Sequence, residues 1–190
     1  MHFFSTCAIL ILTVYATSWV GMTILKLSPE DKSNRLLSDL GTSWGSLSLL
    51  LSLFLSLFLS LFLPILRSFL PLPLIFCLTQ LICCFSLSIT YIKQDFTAAF
   101  SILPLSGFAM ATFNSIPELM IGEGGRQKKE KLQKLIRISL FLGEVCMFCF
   151  LPILMNLIPD VDEMVDTIGV GAGMAGVSCV FAAMAWRRGG

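Results

Sequence analysis

Glu144 is the one acid inside a long apolar run, "ISLFLGEVCMFCFLPILMNLI" (138–158). A carboxylate near the centre of a bilayer costs roughly 2.5–3.5 kcal/mol on insertion scales, so it faces protein or water when it can. Glu144 is therefore either a substrate or proton site or an interhelical hydrogen-bond partner. If it lines a pathway, it is expected to face the helix bundle and not lipid. A second cluster ends another apolar run. In "ATFNSIPELM" an amide (Asn114), a hydroxyl (Ser115), a proline (Pro117) and a carboxylate (Glu118) follow within a few residues. These types suit a polar edge on a helix that moves, and equally ordinary packing at a helix end. Thr79 and Gln80 add polarity to "IFCLTQLICC", and Asn156 to the run that holds Glu144.

Other chemistry finds little support. All seven cysteines (Cys7, Cys77, Cys83, Cys84, Cys146, Cys149 and Cys179) fall inside apolar runs. Cys146 and Cys149 form a C-x-x-C, but without a second ligand pair or the strand–loop–helix setting of a redox motif. His2 is the one histidine. A hydrolase or a zinc enzyme needs bases or ligands beyond this set. No G-x-x-x-x-G-K-[ST] phosphate loop is present, which leaves an ATP-driven pump unsupported. We expect no enzyme, no cofactor, no metal and no nucleic-acid partner.

The elements that must position these residues are membrane helices. The chain has 190 residues, 56% hydrophobic and 13% charged, against roughly a quarter charged in a soluble domain. Six stretches are long enough to cross a bilayer, which takes roughly 20 apolar residues, at about 3–25, 44–66, 70–92, 96–117, 138–158 and 168–186. Backbone groups in lipid must pair within their own segment, so all six are predicted to be helices. The expectation is an all-α membrane protein, with one six-helix domain over 1–190. A signal peptide at the first stretch is disfavoured by its length, its lack of a basic leader and the absence of an A-x-A site.

Charge placement predicts orientation. With a cytoplasmic amino terminus and alternating spans, Arg67, the six bases from Arg126 to Arg137, Arg187 and Arg188 lie inside, and Lys26, Lys32, Arg35 and Lys93 outside. Nine against four agrees with the positive-inside rule. The acidic link "PDVDEMVD" then lies outside, and both termini are cytoplasmic. The basic loop "GEGGRQKKEKLQKLIR" reads as a topology anchor, or as a contact for anionic lipid head groups.

Two small-residue patterns suit close helix packing, the first of them reading equally as a low-complexity expansion. Ser48, Ser52, Ser56 and Ser60 recur every four residues, as do Phe54, Phe58 and Phe62. At roughly 100° per residue the serine stripe winds slowly around its helix. The last span holds G-x-x-x-G at Gly169 and Gly173, with Gly171, Ala172, Ala175 and Gly176 nearby. Small residues let helices approach closely in lipid, and Gly173 is expected to be a packing position.

Three stretches, in order, resemble the carboxy-terminal half of the sucrose/proton symporter-like carriers. These include plant sucrose transporters and the animal solute carrier family 45, within the major facilitator superfamily. "VYATSWVG" (14–21) resembles the family's Y-D-T-D-W-x-G segment in its seventh helix. "GTSWGSLSLLL" (41–51) resembles the G-x-R-x-G-S-L-G-L-x-L opening of the eighth, and "NSIPELMIGE" (114–123) the S-I-P-[FY]-A-L-I-S end of the tenth. The resemblance spans nearly the whole chain. It implies half of a twelve-helix carrier whose cavity lies between two six-helix halves, with protons and a sugar as cargo. It also implies pathway positions at Ser18 and Trp19, and a cytoplasmic gate at Asn114, Ser115 and Glu118. The chain departs from the family at charged positions: Ala16 and Ser18 replace the two acids before the tryptophan, and Ser43 replaces the arginine. The reading from a different class is a non-transporting multi-pass protein, in a plasma or organelle membrane, that assembles with a partner or a second copy through small-residue helix faces.

Overall fold

The computed structural model describes residues 2–19, 35–93, 98–122, 126–157 and 163–189, with side chains over 2–14, 43–93, 100–116, 130–131, 133–149, 167–185 and 187. Six α-helices follow in order: α1 (His2–Trp19), α2 (Arg35–Phe69), α3 (Leu72–Ile92), α4 (Gly107–Gly122), α5 (Arg126–Leu157) and α6 (Glu163–Gly189). A π-type turn (Ala98–Ile102) and a 3-10 turn (Leu103–Ser106) lead into α4. Among the described residues there is no strand. Among the described residues three helical stretches are long and apolar enough to cross a membrane: Ser43–Phe69, Leu72–Ile92 and Thr167–Ala185. His2–Val14 and Phe100–Ile116 are shorter apolar stretches.

Neighbouring helices run in alternating directions. On α1 and α3, which run parallel, His2 meets Phe76 and Ser5 meets Gln80. On α1 and α5, also parallel, Gly143 packs on Phe3 and Thr6, and Cys146 reaches the Cys7 thiol. α4 runs against α3, pairing Thr112 with Thr79 and Ile102 with Ser86. α6 also runs against α3, bringing Cys179 to Cys77, Gly176 to Cys84 and Gly169 to Tyr91. α2 runs with α4, so Trp44 meets Phe100 and Ser52 meets Gly107. Odd-numbered helices therefore point one way and even-numbered helices the other.

The core is built from modest side chains. Ala8, Leu12, Cys83, Leu87, Leu103, Ala109, Ile168, Ala172 and Ala175 form one buried cluster contributed by α1, α3, the α4 region and α6. Lipid tails are as apolar as leucine, so close van der Waals fit drives helix association in a bilayer more than burial of bulk does. The serine repeat follows the same logic. Ser48 and Ser52 are fully buried, whereas Phe54, Phe58 and Phe62 on the same helix lie exposed. A Cβ at Gly107 collides with the Ser52 carbonyl, so the two backbones are nearly in contact there.

Four sequence expectations are revised. The basic stretch is no loop: Arg126–Arg137 forms the first turns of the 32-residue α5. Lys, Gln, Glu, Arg and Leu are strong helix formers, and no glycine or proline interrupts them. Second, α4 continues through Pro117 to Gly122, so "NSIP" lies inside the helix and not at its end. The break occurs at the other end, where Pro104 removes a backbone donor. Hydroxyls take up carbonyls there: Ser86 Oγ donates to Ile102 O at 2.5 Å and Ser106 Oγ to Leu103 O at 2.7 Å. Irregular backbone at membrane depth is tolerated where protein groups satisfy it in this way. Third, Gly173 is not a packing position: a Cβ there meets nothing within 4 Å. Gly169, Gly171 and Gly176 make the close approaches, to Tyr91, Ile11 and Cys84. α2 is also longer than its predicted span, with 35 residues beginning at Arg35, so the "GTSWGS" stretch lies within the helix.

Candidate functional site

One group of buried polar side chains, Ser5, Thr79, Gln80 and Thr112, gathers near the amino-terminal end of α1. Ser5 sits one turn into that helix and faces Gln80 on α3, whose Nε2 donates to Ser5 Oγ at 2.9 Å. Both residues are fully buried. Beside Gln80, Thr79 Oγ1 and Thr112 Oγ1 lie 2.7 Å apart, tying α3 to α4. The His2 ring rests between Phe76 and Phe113, with centroids 5.6 and 5.7 Å away. Apolar packing surrounds this group, with Phe76, Ile116 and Ala182 forming a buried cluster below it. An unpaired polar group costs far more in such a place than at a surface, which explains why three of the helices contribute hydrogen-bonding side chains at one level. His2 Nδ1 and Gln80 Oε1 nevertheless have no partner.

The sequence-based candidates lie around this group, not in it. Asn114 and Ser115 follow Phe113 on α4, Asn114 exposed and Ser115 half-buried. Glu144 follows Gly143, the α5 residue that packs on Phe3 and Thr6, so it lies within about a helical turn of the same depth. It does not face the interior of this bundle. It is exposed on α5, beside Phe141 and Phe148, which are 65% and 68% exposed. No hydrogen bond or ion pair reaches it among the described residues. The side chains of Ser18, Trp19 and Glu118 lie outside the described residues, although their backbones are helical.

The C-x-x-C gains no paired geometry; the thiols that meet are Cys77 and Cys179, with Sγ atoms 3.5 Å apart between α3 and α6. Cys146 turns toward Cys7 while Cys149 is exposed, so the C-x-x-C diverges. No group of three or more His, Cys, Asp or Glu gathers among the described residues. Away from the polar level, an open groove of about 690 Å³ runs between α3 and α6, lined by Cys84, Ser88, Tyr91, Gly169 and Gly173 among others.

Sequence reasoning registered Thr79 and Gln80 but missed Ser5 and Thr112 as their partners. Serines and threonines in membrane helices carry little signal alone, because they bond readily to their own backbone, as Thr6 does to His2 O at 2.8 Å. The one Gln in an apolar run was the usable clue, since a buried carboxamide requires partners.

No protein-family model, curated protein sequence or solved structure matches this chain.

Proposed function

We propose that this chain forms one six-helix half of a secondary membrane carrier, resembling the carboxy-terminal half of the proton-coupled sugar symporters of the major facilitator superfamily. The observation that carries the proposal is Glu144, a carboxylate on an otherwise apolar outer face of α5. Bare exposure to acyl chains is costly. A hydrated cavity closed by a second six-helix half removes that cost. The alternating helix directions suit six crossings with both termini on one side, and the excess of bases on that side favours the cytoplasm. Asn114, exposed at nearly the same depth, and Ser115 offer neutral hydrogen-bonding groups suited to a polyol. The cargo class is a sugar and the coupling ion a proton. The membrane is the plasma membrane or that of an organelle.

The test is uptake of radiolabelled sugar into vesicles under an imposed proton gradient. This chain alone is compared with the chain joined to a matching first half. Gradient-driven uptake by the joined protein alone is the expected result. No uptake by either, with both correctly inserted, contradicts the carrier reading.

One observation favours a second reading. Gly173 is exposed in the α3–α6 groove with open space around it, which suits assembly with a second copy or another membrane protein through a small-residue face.

A further inference from the structure

Among the described residues two buried polar side-chain atoms lack partners, and they share one neighbourhood. Gln80 Oε1 and His2 Nδ1 are both shielded from solvent, and neither makes a hydrogen bond. His2 packs its ring against Phe76, one turn before Gln80 on α3. Ser5, one turn after His2 on α1, receives the other end of the Gln80 amide. The Thr79 and Thr112 hydroxyls have no proton to spare. Thr79 and Thr112 bond to each other, and the remaining proton of the pair goes to a backbone carbonyl, Phe76 O at 3.0 Å or Ala109 O at 3.1 Å. Leaving a buried polar atom unsatisfied costs about 1–3 kcal/mol, and here two belong to one contact group of α1 and α3 with no hydrogen bond to either.

We propose that a single water molecule occupies the space between Gln80 Oε1 and His2 Nδ1. Water both donates and accepts, so it satisfies the carboxamide oxygen and either neutral tautomer of the imidazole. Buried waters typically make about three hydrogen bonds to otherwise unsatisfied groups, and His2, Gln80 and the Ser5 hydroxyl supply that number. A metal ion is a poor fit, since no cluster of acidic, histidine or cysteine ligands gathers among the described residues. The result is a hydrogen-bonded chain, His2–water–Gln80–Ser5, running one turn into the bundle from the end of α1. It stands independently of whether the protein carries a sugar.

His2 is the one histidine in the sequence, so selective ¹⁵N-histidine labelling gives one unambiguous imidazole. Solid-state NMR of the full chain in lipid bilayers is expected to show transfer from a slowly exchanging water to His2 Nδ1. In Gln80→Leu that signal falls several-fold, while Gln80→Glu retains it. The parent chain decides the matter even if Gln80→Leu misfolds. Absence of the water signal overturns the proposal. So does contact between Nδ1 and the Gln80 amide protons, which means that the carboxamide is turned and bonds the imidazole directly. An unchanged water signal in a folded Gln80→Leu overturns it as well.

Discussion

Gly107→Ala is expected to destabilise the bundle by about 1–3 kcal/mol, the range for forcing extra volume into a packed interior, whereas Gly173→Ala is expected to be neutral or stabilising. The two glycines look alike in sequence, both at small-residue positions of apolar helices. Their surroundings differ. A methyl group at Gly107 runs into the Ser52 carbonyl, a backbone atom that cannot rotate away. Relief requires α2 and α4 to separate, which also strains the contact between Trp44 and Phe100. At Gly173 the methyl meets nothing within 4 Å, and replacing glycine inside a helix removes a propensity penalty of roughly 1 kcal/mol. Thermal unfolding of both variants in detergent, followed by helical circular dichroism, reads the difference as opposite shifts in midpoint. Equal shifts remove the close α2–α4 approach from the account.

Glu144→Gln is expected to abolish the pH dependence of sugar uptake in the carrier completed with a first half, without impairing membrane insertion. Glutamine keeps the shape and much of the hydrogen bonding of the side chain but cannot release or take up a proton. In this chain Glu144 points away from the bundle, toward the surface that a second half covers in the proposed carrier. A coupling carboxylate belongs on such a surface, where each change of access exposes it to one compartment or the other. Asn114→Ala provides the contrast: loss of a neutral sugar contact raises the concentration needed for half-maximal uptake and leaves its pH dependence intact. Uptake by Glu144→Gln with an unchanged pH profile reduces Glu144 to a packing residue.

Much of the helical framework was legible because apolar runs near bilayer length leave the backbone little choice. α3 follows its predicted span closely, starting where Pro71 and Pro73 punctuate the chain and ending at Ile92. The helical character of the basic stretch was missed because charge was read as a loop signal, although Lys, Gln and Glu favour helix strongly. The direction of a small-residue face was not legible at all. G-x-x-x-G spacing places Gly169 and Gly173 on one side of α6, but packing turned that helix so that Gly169, Gly171 and Gly176 meet neighbours and Gly173 does not. The polar centre was half legible. Gln80 advertised a need for partners, but the choice of Ser5 depends on α1 and α3 facing each other, 75 residues apart in the sequence. Glu144 stood out by charge alone, and only the packing of its neighbour Gly143 against α1 places it on the outer face.

In the proposed carrier half six helices cross the membrane in alternating directions, and sidedness tests this most directly. Single cysteines introduced at positions within 124–134 and within 160–166, in intact cells, are challenged with a membrane-impermeant maleimide. Labelling of the 160–166 positions from outside, with 124–134 protected until the membrane is opened, is the predicted result. Labelling of both segments from the same side contradicts the six-crossing arrangement and the carrier half built on it.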